Sequence, residues 1–278
     1  MKTAKIEGLN QEKIDIFEKE TVVLDAKKMK SVIANDLARQ GSQLSIEEEK
    51  IAHIIFSSLN PFGSNPPVVK LSKSDLFELL GYGSQKDRYK RLKARMKSLV
   101  TKSWVDVHID GWDHMGFLMT DVVTSHKSND VFVHMNPKFL PFVEQLKGNY
   151  TSLKLDAVVS FKSKFSLALY KLLSSFTDGS TGHTVMHIST KELKDVFGLS
   201  KDDYVSKGKF ARFIFEEKTI VPAVEEINEK VRGFGVNWKK IKKGGKVIYY
   251  QFEWIDQFRL PSVEPDVPEG QMTIDEFV

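Results

Sequence analysis

The sequence predicts an α+β protein made of two tandem copies of one unit, and an internal repeat is the main evidence. Residues 71–81 (LSKSDLFELLG) and 188–198 (ISTKELKDVFG) align at one constant offset in their hydrophobic positions, their serine, their carboxylate and their final glycine. In both copies the serine stands three residues before the carboxylate, which is the capping-box signature of a helix start, and glycine commonly ends a helix. Similar segments flank both copies, so an internal duplication explains the chain better than chance does.

The flanking segments predict the order of elements in each unit. An amphipathic helix precedes each repeat, at 45–59 and 164–176, and a short β-rich segment at 68–71 or 185–188 leads into the capped helix. A loop, a basic helix and two β segments around a turn follow each repeat. This order of helix, short strand, helix, basic helix and hairpin is that of a winged helix. We therefore predict two tandem winged-helix domains.

The first unit has a strongly basic helix followed by a hairpin. We predict this helix at 84–100, where Asp87 is the only acid among seven lysines and arginines. Two strands are predicted next, at 104–109 and 117–124, around a wing tip at 111–116. The helical residues that recur at core-facing spacing are Tyr89, Leu92, Met96 and Leu99.

The second unit has a less regular basic helix and a clearer hairpin. The helix is predicted to begin near Lys207 and to kink at Pro222, which lacks the N–H of a helical hydrogen bond. The hairpin has strands at 236–241 and 246–254, and the glycines at 244–245 suit the positive φ angles of a tight turn. The lysines around that turn are Lys239, Lys240, Lys242, Lys243 and Lys246. In the helix, the predicted core face is Phe210, Ile214, Val221, Val224 and Ile227, and a second face holds Lys209, Arg212, Glu216 and Thr219.

These assignments divide the chain into four segments. We expect an N-terminal arm with little core at 1–40, a first winged-helix domain at 41–148 and a second at 149–260. Residues 261–278 are rich in proline and contain five acids and no base, so we expect an acidic, disordered tail.

Charge and composition narrow the functional classes. Residues 1–260 carry 41 bases against 32 acids, which is consistent with a polyanionic partner but weak evidence by itself. The chain has no cysteine, which excludes disulfides, thiolate zinc sites and cysteine nucleophiles. No apolar run approaches the roughly 20 residues that cross a bilayer, and the charged start has no signal-peptide core, so we expect no membrane contact and a cytoplasmic location.

Six segments of the chain occur in a characteristic order; they are YTSLKL at 150–155, FSLALYKLL at 165–173, ISTKEL at 188–193 and 210–228 in the second unit, and LSIEEEKI at 44–51 and 71–81 in the first. In this order they resemble the initiator proteins of iteron-bearing plasmids that replicate by the theta mode. The resemblance implies that the second domain dominates binding to origin repeats (iterons), and that the first domain supports dimerisation and further DNA contact. It also implies a dimer that represses the initiator's own promoter, and a monomer that opens the origin and recruits host replication proteins.

DNA binding by a winged helix requires a helix in the major groove and cations on the phosphates. We predict Arg212 as the base reader, because a guanidinium pairs bidentately with guanine. The other predicted contacts of the second unit are Lys207 and Lys209 on the helix and Lys240, Lys242, Lys243 and Lys246 on the wing. In the first unit they are Gln85, Lys86, Arg88, Arg91 and Arg95. A solvated helix face or turn is the alternative for any one of these residues.

The sequence offers little support for a metal site or an enzymatic activity. His183 and His187 are four residues apart on a predicted strand, which separates them by about 13 Å. The chain has neither a phosphate-binding loop for ATP hydrolysis nor the His-hydrophobe-His site of DNA-nicking initiators. We therefore predict no metal, no cofactor and no catalytic residue. A polar turn explains the remaining cluster at the first wing, His108, Asp110, Asp113 and His114.

The tail contains a spacing that resembles sliding-clamp peptides. Gln271, Ile274 and Phe277 follow a Gln-x-x-aliphatic-x-x-aromatic pattern, and one helical turn would place the last two in an apolar pocket. Val278 stands where many such peptides have a second aromatic residue, so a tail without this partner is the competing interpretation.

Two other functional classes stay open at this stage. A winged-helix transcription regulator without a replication role would carry the same residues, and only the family resemblance favours an initiator. A protein-interaction module with incidental charge is the third class, and the salt dependence of DNA binding separates it from the other two.

Overall fold

The buried side chains of the protein form two separate hydrophobic cores. The structure, a computed structural model, describes residues 21–109, 112–146, 149–177 and 181–257. One core is drawn from residues between Ile33 and Leu155, and the other from residues between Leu153 and Trp254. Helices and small antiparallel sheets surround each core, so the predicted α+β architecture with two units is confirmed.

The first unit begins earlier than the sequence suggested. Its elements are β1 (Lys30–Ala34), α1 (Asn35–Arg39), α2 (Ile46–Ser57), β2 (Val68–Ser72), α3 (Lys73–Leu79), α4 (Arg88–Lys102), β3 (Trp104–Ile109), β4 (Trp112–Phe117), β5 (Met119–Thr124) and β6 (Asp130–Met135). A 3-10 turn, Leu140–Phe142, follows them. The caps are local: Ser45 and Glu48 form a reciprocal capping box on α2, and Ser72 accepts a hydrogen bond from the Asp75 amide at the start of α3.

Residues 30–39 correct the expected extent of the N-terminal arm. Strand β1 pairs antiparallel with β7 (Tyr150–Lys154), and Ile33 in this strand is only 1% exposed. Ala38 in α1 is buried in the same core. The apolar run in β1 forms part of the fold because it finds a strand partner more than a hundred residues away, which no local pattern could indicate.

The hairpin of the first unit also differs from its prediction. Strand β3 pairs with β4, with Trp104 opposite Phe117, so β4 lies where the wing tip was predicted. The chain then enters a different sheet, of order β2-β6-β5. Leu118 and Met119 are buried where the chain passes from one sheet to the other, and this divides the run 117–124 that reads as one strand.

The second unit begins with the same order as the first, which is strand, helix, helix, strand, helix. After β7 come α5 (Leu155–Ser160), α6 (Lys164–Phe176), β8 (His183–Ile188), α7 (Thr190–Val196), β9 (Val205–Ser206), β10 (Lys209–Phe210), α8 (Arg212–Phe215), a π-helical turn (Glu216–Ile220), α9 (Val221–Lys230), β11 (Phe234–Lys243) and β12 (Lys246–Asp256). Ser189 and Glu192 form a capping box on α7, as the repeat predicted. Strands β8, β12 and β11 form one antiparallel sheet.

The basic helix of the second unit begins later than predicted, and near its start the buried and exposed positions are the reverse of those predicted. Residues 205–210 form a small hairpin with Lys207 and Gly208 at positive φ in its turn, and the helix starts at Arg212. Ile214, predicted in the core, is 51% exposed, whereas Glu216 and Thr219 are buried. The π-helical turn before Pro222 adds a residue to one helical turn and shifts the phase of the buried face, which a constant 3.6-residue period misses.

The two units pack against each other through α1, α2 and α6. The Arg39 guanidinium donates to the Ser175 hydroxyl (3.0 Å) and carbonyl (2.9 Å). Deeper in the same interface, Lys171 Nζ lies 3.3 Å from a Glu49 carboxylate oxygen, and both side chains are less than 10% exposed. None of the helices in the described part of the chain is long and apolar enough to span a membrane.

Candidate nucleic-acid interface

The wing of the second unit ends in a concentrated positive charge. Strands β11 and β12 meet at Gly244 and Gly245, whose φ angles are +57° and +78°, as a tight turn requires. Lys242, Lys243 and Lys246 flank the turn and are exposed. Within the described residues these three lysines have no ion pair, so their charges are available to an external anion.

Lys240, predicted with the wing-tip lysines, has a different environment. Its ammonium group lies 2.7 Å from the buried carboxylate of Glu216, at the start of the π-helical turn. Lys240 therefore links the wing to the helix and is not a free phosphate contact. Lys242 is two residues further along β11, at most about 7 Å away, so this ion pair places the strand that leads to the wing tip beside the π-helical turn.

Arg212, the predicted base reader, is directed into the protein. Its guanidinium lies 3.3 Å from both the Thr190 hydroxyl and the Tyr250 hydroxyl, and the residue is half-buried. The Tyr250 hydroxyl donates in turn to Glu216 at 3.0 Å. Burial and then the neighbouring Glu216 charge raise the pKa of Tyr250 to about 12, so the phenol keeps the proton that it donates. Arg212 therefore holds the first turn of the helix in place, and its role as base reader stays a prediction.

The two other predicted cations of this helix lie before it. Lys207 is in the turn of the β9–β10 hairpin and Lys209 is in β10, and both are exposed. They thus approach the start of the helix from the adjacent hairpin. What the helix itself exposes at this end is Phe213, Ile214, Glu217 and Lys218.

The predicted contacts of the first unit divide into free and paired residues. Gln85 and Lys86 are exposed in the loop before α4, while Arg88 donates to the Gly83 carbonyl at 2.9 Å and covers the Phe77 ring. Arg91 and Arg95 both bind the carboxylate of Glu47 in α2. Although burial alone would raise it, hydrogen bonds from these two arginines lower the pKa of Glu47. The structure therefore gives Arg91 and Arg95 an internal partner, and their contact with DNA stays a prediction.

A lysine stripe on α4 was overlooked in the choice of contact residues. Lys90, Lys93 and Lys97 are exposed and have no ion pair among the described residues. They recur at intervals of three and four residues, which places them on one face of α4, and Lys86 lies four residues before Lys90 in the loop that precedes this helix. This spacing is visible in the sequence, and the face lies away from the buried Leu92, Met96 and Leu99.

Two other predictions concern the remaining candidate sites. The proposed clamp motif, Gln271, Ile274 and Phe277, lies outside the described residues. Within the part of the chain that the structure describes, no group of three or more His, Asp or Glu side chains is arranged to hold a metal ion.

Comparison with known proteins assigns both units. Residues 30–174 match the family model of the initiator replication protein WH1 domain, and residues 189–254 match that of the initiator Rep protein WH2 domain. No curated protein matches the sequence significantly. The fold is similar to that of the Pi initiator protein, solved in complex with iteron DNA, with a TM-score of 0.68 and 20% identity over 83% of this chain and 98% of that one.

A second structural similarity, to domains 2 and 3 of RctB, has a TM-score of 0.41 and 14% identity over 68% of this chain and 73% of that one. The WH1 match starts at residue 30, where β1 begins, and the WH2 match ends at residue 254 within β12. The two matches together span most of the chain and confirm both the tandem winged-helix fold and the resemblance noted from the sequence. The chain belongs to the family of initiator replication proteins that carry two winged-helix domains in tandem.

Proposed function

We propose that this initiator protein binds direct repeats (iterons) in a plasmid origin as double-stranded DNA, with the second domain as the main contact. The observation that carries the proposal is the wing tip, where Lys242, Lys243 and Lys246 are exposed without an acidic partner among the described residues. The adjacent start of helix 212–230 provides the element that enters the major groove, where each base pair presents a distinct pattern of donors and acceptors.

The first domain makes a second contact in this proposal. Lys90, Lys93 and Lys97 form a stripe of positive charge along α4, and Lys86 lies in the loop just before it. Such a stripe holds phosphates without reading sequence, so it adds affinity and fixes the orientation of the protein on the duplex. Arg91 and Arg95 contribute indirectly, because their ion pairs with Glu47 hold α4 against α2.

The salt dependence of binding tests the DNA contact. The intact chain is titrated with a duplex that carries repeats from its own origin, at salt concentrations from 50 to 200 mM. If the three wing-tip lysines each neutralise one phosphate, their triple alanine variant lowers the slope of log affinity against log salt by about 3. Arg232→Ala is the matched control, because residue 232 is exposed near the opposite end of the hairpin, about 30 Å along β11.

The same titration can refute the proposal. A salt slope that is near zero for the unaltered protein favours a protein-interaction module with incidental charge. A slope that the triple variant and Arg232→Ala reduce equally means that the wing tip is not a specific contact. A third measurement separates the replication role from transcription control alone: the gene with its adjacent repeats must sustain a replicon that is otherwise unable to replicate.

Self-association through the first domain completes the proposed cycle. The β3–β4 hairpin has no third strand among the described residues, and it exposes Trp104, Trp112, Met115 and Phe117 by 43–75%. Exposed aromatic residues on a strand edge suit a second copy of the chain. A dimer of this kind would repress the initiator's own promoter, and the monomer would open the origin. Sedimentation of Trp112→Lys tests it: an unchanged monomer–dimer equilibrium excludes this hairpin as the interface.

Host replication proteins are the remaining partners, and the protein would meet them in the cytoplasm. The tail residues Gln271, Ile274 and Phe277 have the spacing of a sliding-clamp peptide. A peptide of residues 261–278 that binds the host clamp, with the binding lost on Phe277→Ala, supports this contact. Equal binding by both peptides excludes it.

A further inference from the structure

The helix that is proposed to enter the major groove exposes two large hydrophobic side chains at its start. Phe213 is 72% exposed and Ile214 is 51% exposed. The other large hydrophobic residues in helix 212–230 are buried or half-buried, and Phe215, Ile220 and Ile227 are fully buried. Single exposed apolar residues are common on protein surfaces, but two adjacent ones at the start of a reading helix require an explanation.

Contacts on both sides hold this pair outward. Arg212, immediately before the pair, is fixed by hydrogen bonds to Thr190 and Tyr250. Immediately after it, the buried Phe215 ring packs against a cluster of aromatic rings at centroid distances of 5.5–6.4 Å; they are Phe197, Tyr204, Phe210 and Tyr250. Turning Phe213 or Ile214 inward would break these contacts, so the exposed orientation is built into the helix start.

The charged residues around Phe213 and Ile214 indicate the chemical class of the partner that this pair contacts. Lys207 and Lys209 lie on the preceding hairpin and Lys218 lies one turn further along the helix, and all three are exposed. Two of the three unpaired lysines of the wing tip, Lys242 and Lys243, follow within three residues of Lys240, which pairs with Glu216 of the same helix. An apolar pair surrounded by free cations suits a polyanion that presents apolar groups, and in the major groove of DNA the apolar group is the C5 methyl of thymine.

We propose that Phe213 and Ile214 determine sequence specificity by packing against thymine methyl groups in the major groove. The proposal rests on the proposed DNA binding and adds the residues and the base that they read. It transfers the reading role from Arg212 to the outward face of the same helical turn. Glu217 is exposed on the same face, and its negative charge repels DNA phosphates. We therefore expect Phe213 and Ile214 to approach the base edges and not the phosphate backbone.

Replacement of thymine by deoxyuridine tests the proposal, because it removes only the methyl group. A tight-binding duplex is first selected from random-sequence DNA with the intact chain, and each thymine is then replaced singly. At a contacted position the unaltered protein should bind about fourfold more weakly, the value expected for one methyl group no longer buried. Phe213→Ala or Ile214→Ala should bind the thymine and deoxyuridine duplexes equally at that position. Phe213→Leu should retain part of the preference.

A control variant and a folding measurement make each outcome decisive. Lys243→Ala should weaken binding to every duplex while it keeps the preference for thymine. Thermal unfolding of Phe213→Ala should match that of the unaltered protein, because most of the side chain is already in water. The proposal is overturned if no single replacement weakens binding, or if both alanine variants keep the full thymine preference; the pair would then serve a protein partner. Failure to select any duplex would instead refute the DNA binding itself.

Discussion

Acidification should weaken the packing between the two domains, because a histidine buried there stays neutral. His53 is 1% exposed, its Nδ1 lies 2.7 Å from the Ser31 hydroxyl, and its Nε2 lies 3.6 Å from Glu49. Burial, and then the nearby Lys171 charge, lower the pKa of His53 to about 3 against the opposing attraction of Glu49. His53 therefore stays neutral in the folded protein at pH values where the same side chain binds a proton in the unfolded chain.

The size of the effect follows from the two pKa values. An unfolded histidine has its ordinary pKa of 6.5, and the folded value is about 3. Because the folded value is the lower one, the stability is fully present above pH 6.5 and is lost as the pH falls toward 3. Between pH 7.5 and pH 5.0 only the unfolded state takes up the proton, which lowers the free energy of unfolding by about 2 kcal/mol.

Urea unfolding at several pH values between 7.5 and 5.0 measures this loss. His53→Gln keeps a polar contact to Ser31 but does not titrate, so its free energy of unfolding should change by about 2 kcal/mol less over this range. His187→Gln is the matched control, since His187 is exposed on β8, and it should behave like the unaltered protein. Equal pH dependence in the unaltered protein and in His53→Gln would refute the reasoning.

Three further changes test the packing and the polar network. Lys171→Met should lower the free energy of unfolding, measured in urea, by about 3–5 kcal/mol, because it leaves the buried Glu49 carboxylate without its cation. The double variant Lys171→Met/Glu49→Met should regain most of this loss. A double variant as unstable as Lys171→Met alone would contradict the prediction. Gly41→Ala should lower the melting temperature by several degrees, because a Cβ atom there would lie 1.9 Å from a backbone oxygen of the second unit. Gly235→Ala is the control and should leave the melting temperature unchanged, because the space around Gly235 is open. Tyr250→Phe should cost about 1–3 kcal/mol in urea unfolding because it leaves a buried carboxylate with one partner fewer, and an unchanged midpoint would show that the network contributes nothing.

Local features of the fold were predictable because their causes lie within a few residues. Ser189 and Glu192 satisfy each other's backbone amides three residues apart, and the Ser72 hydroxyl accepts from the backbone amide of Asp75 at the start of its helix. Leu92 and Met96 are buried as their spacing in α4 indicated. The turn at Gly244 adopts the positive φ that its sequence favours.

The availability of the cations was not predictable, since it depends on distant partners. Arg91 and Arg95 meet Glu47, which precedes them by more than forty residues. Arg212 meets Tyr250, and Lys240 meets Glu216, through the packing of the wing on the helix. A sequence shows the charge of each side chain but not the carboxylate beside which it folds.

The sequence by itself determined that the chain holds two tandem units, each with a capped helix, a basic helix and a hairpin, because the repeat and the local periodicity encode those elements. Only the tertiary structure decided which cations are free and which face of helix 212–230 is exposed. The first depends on contacts between residues far apart along the chain. The second depends on the π-helical turn before Pro222, which rotates the start of the helix so that Phe213 and Ile214 face outward.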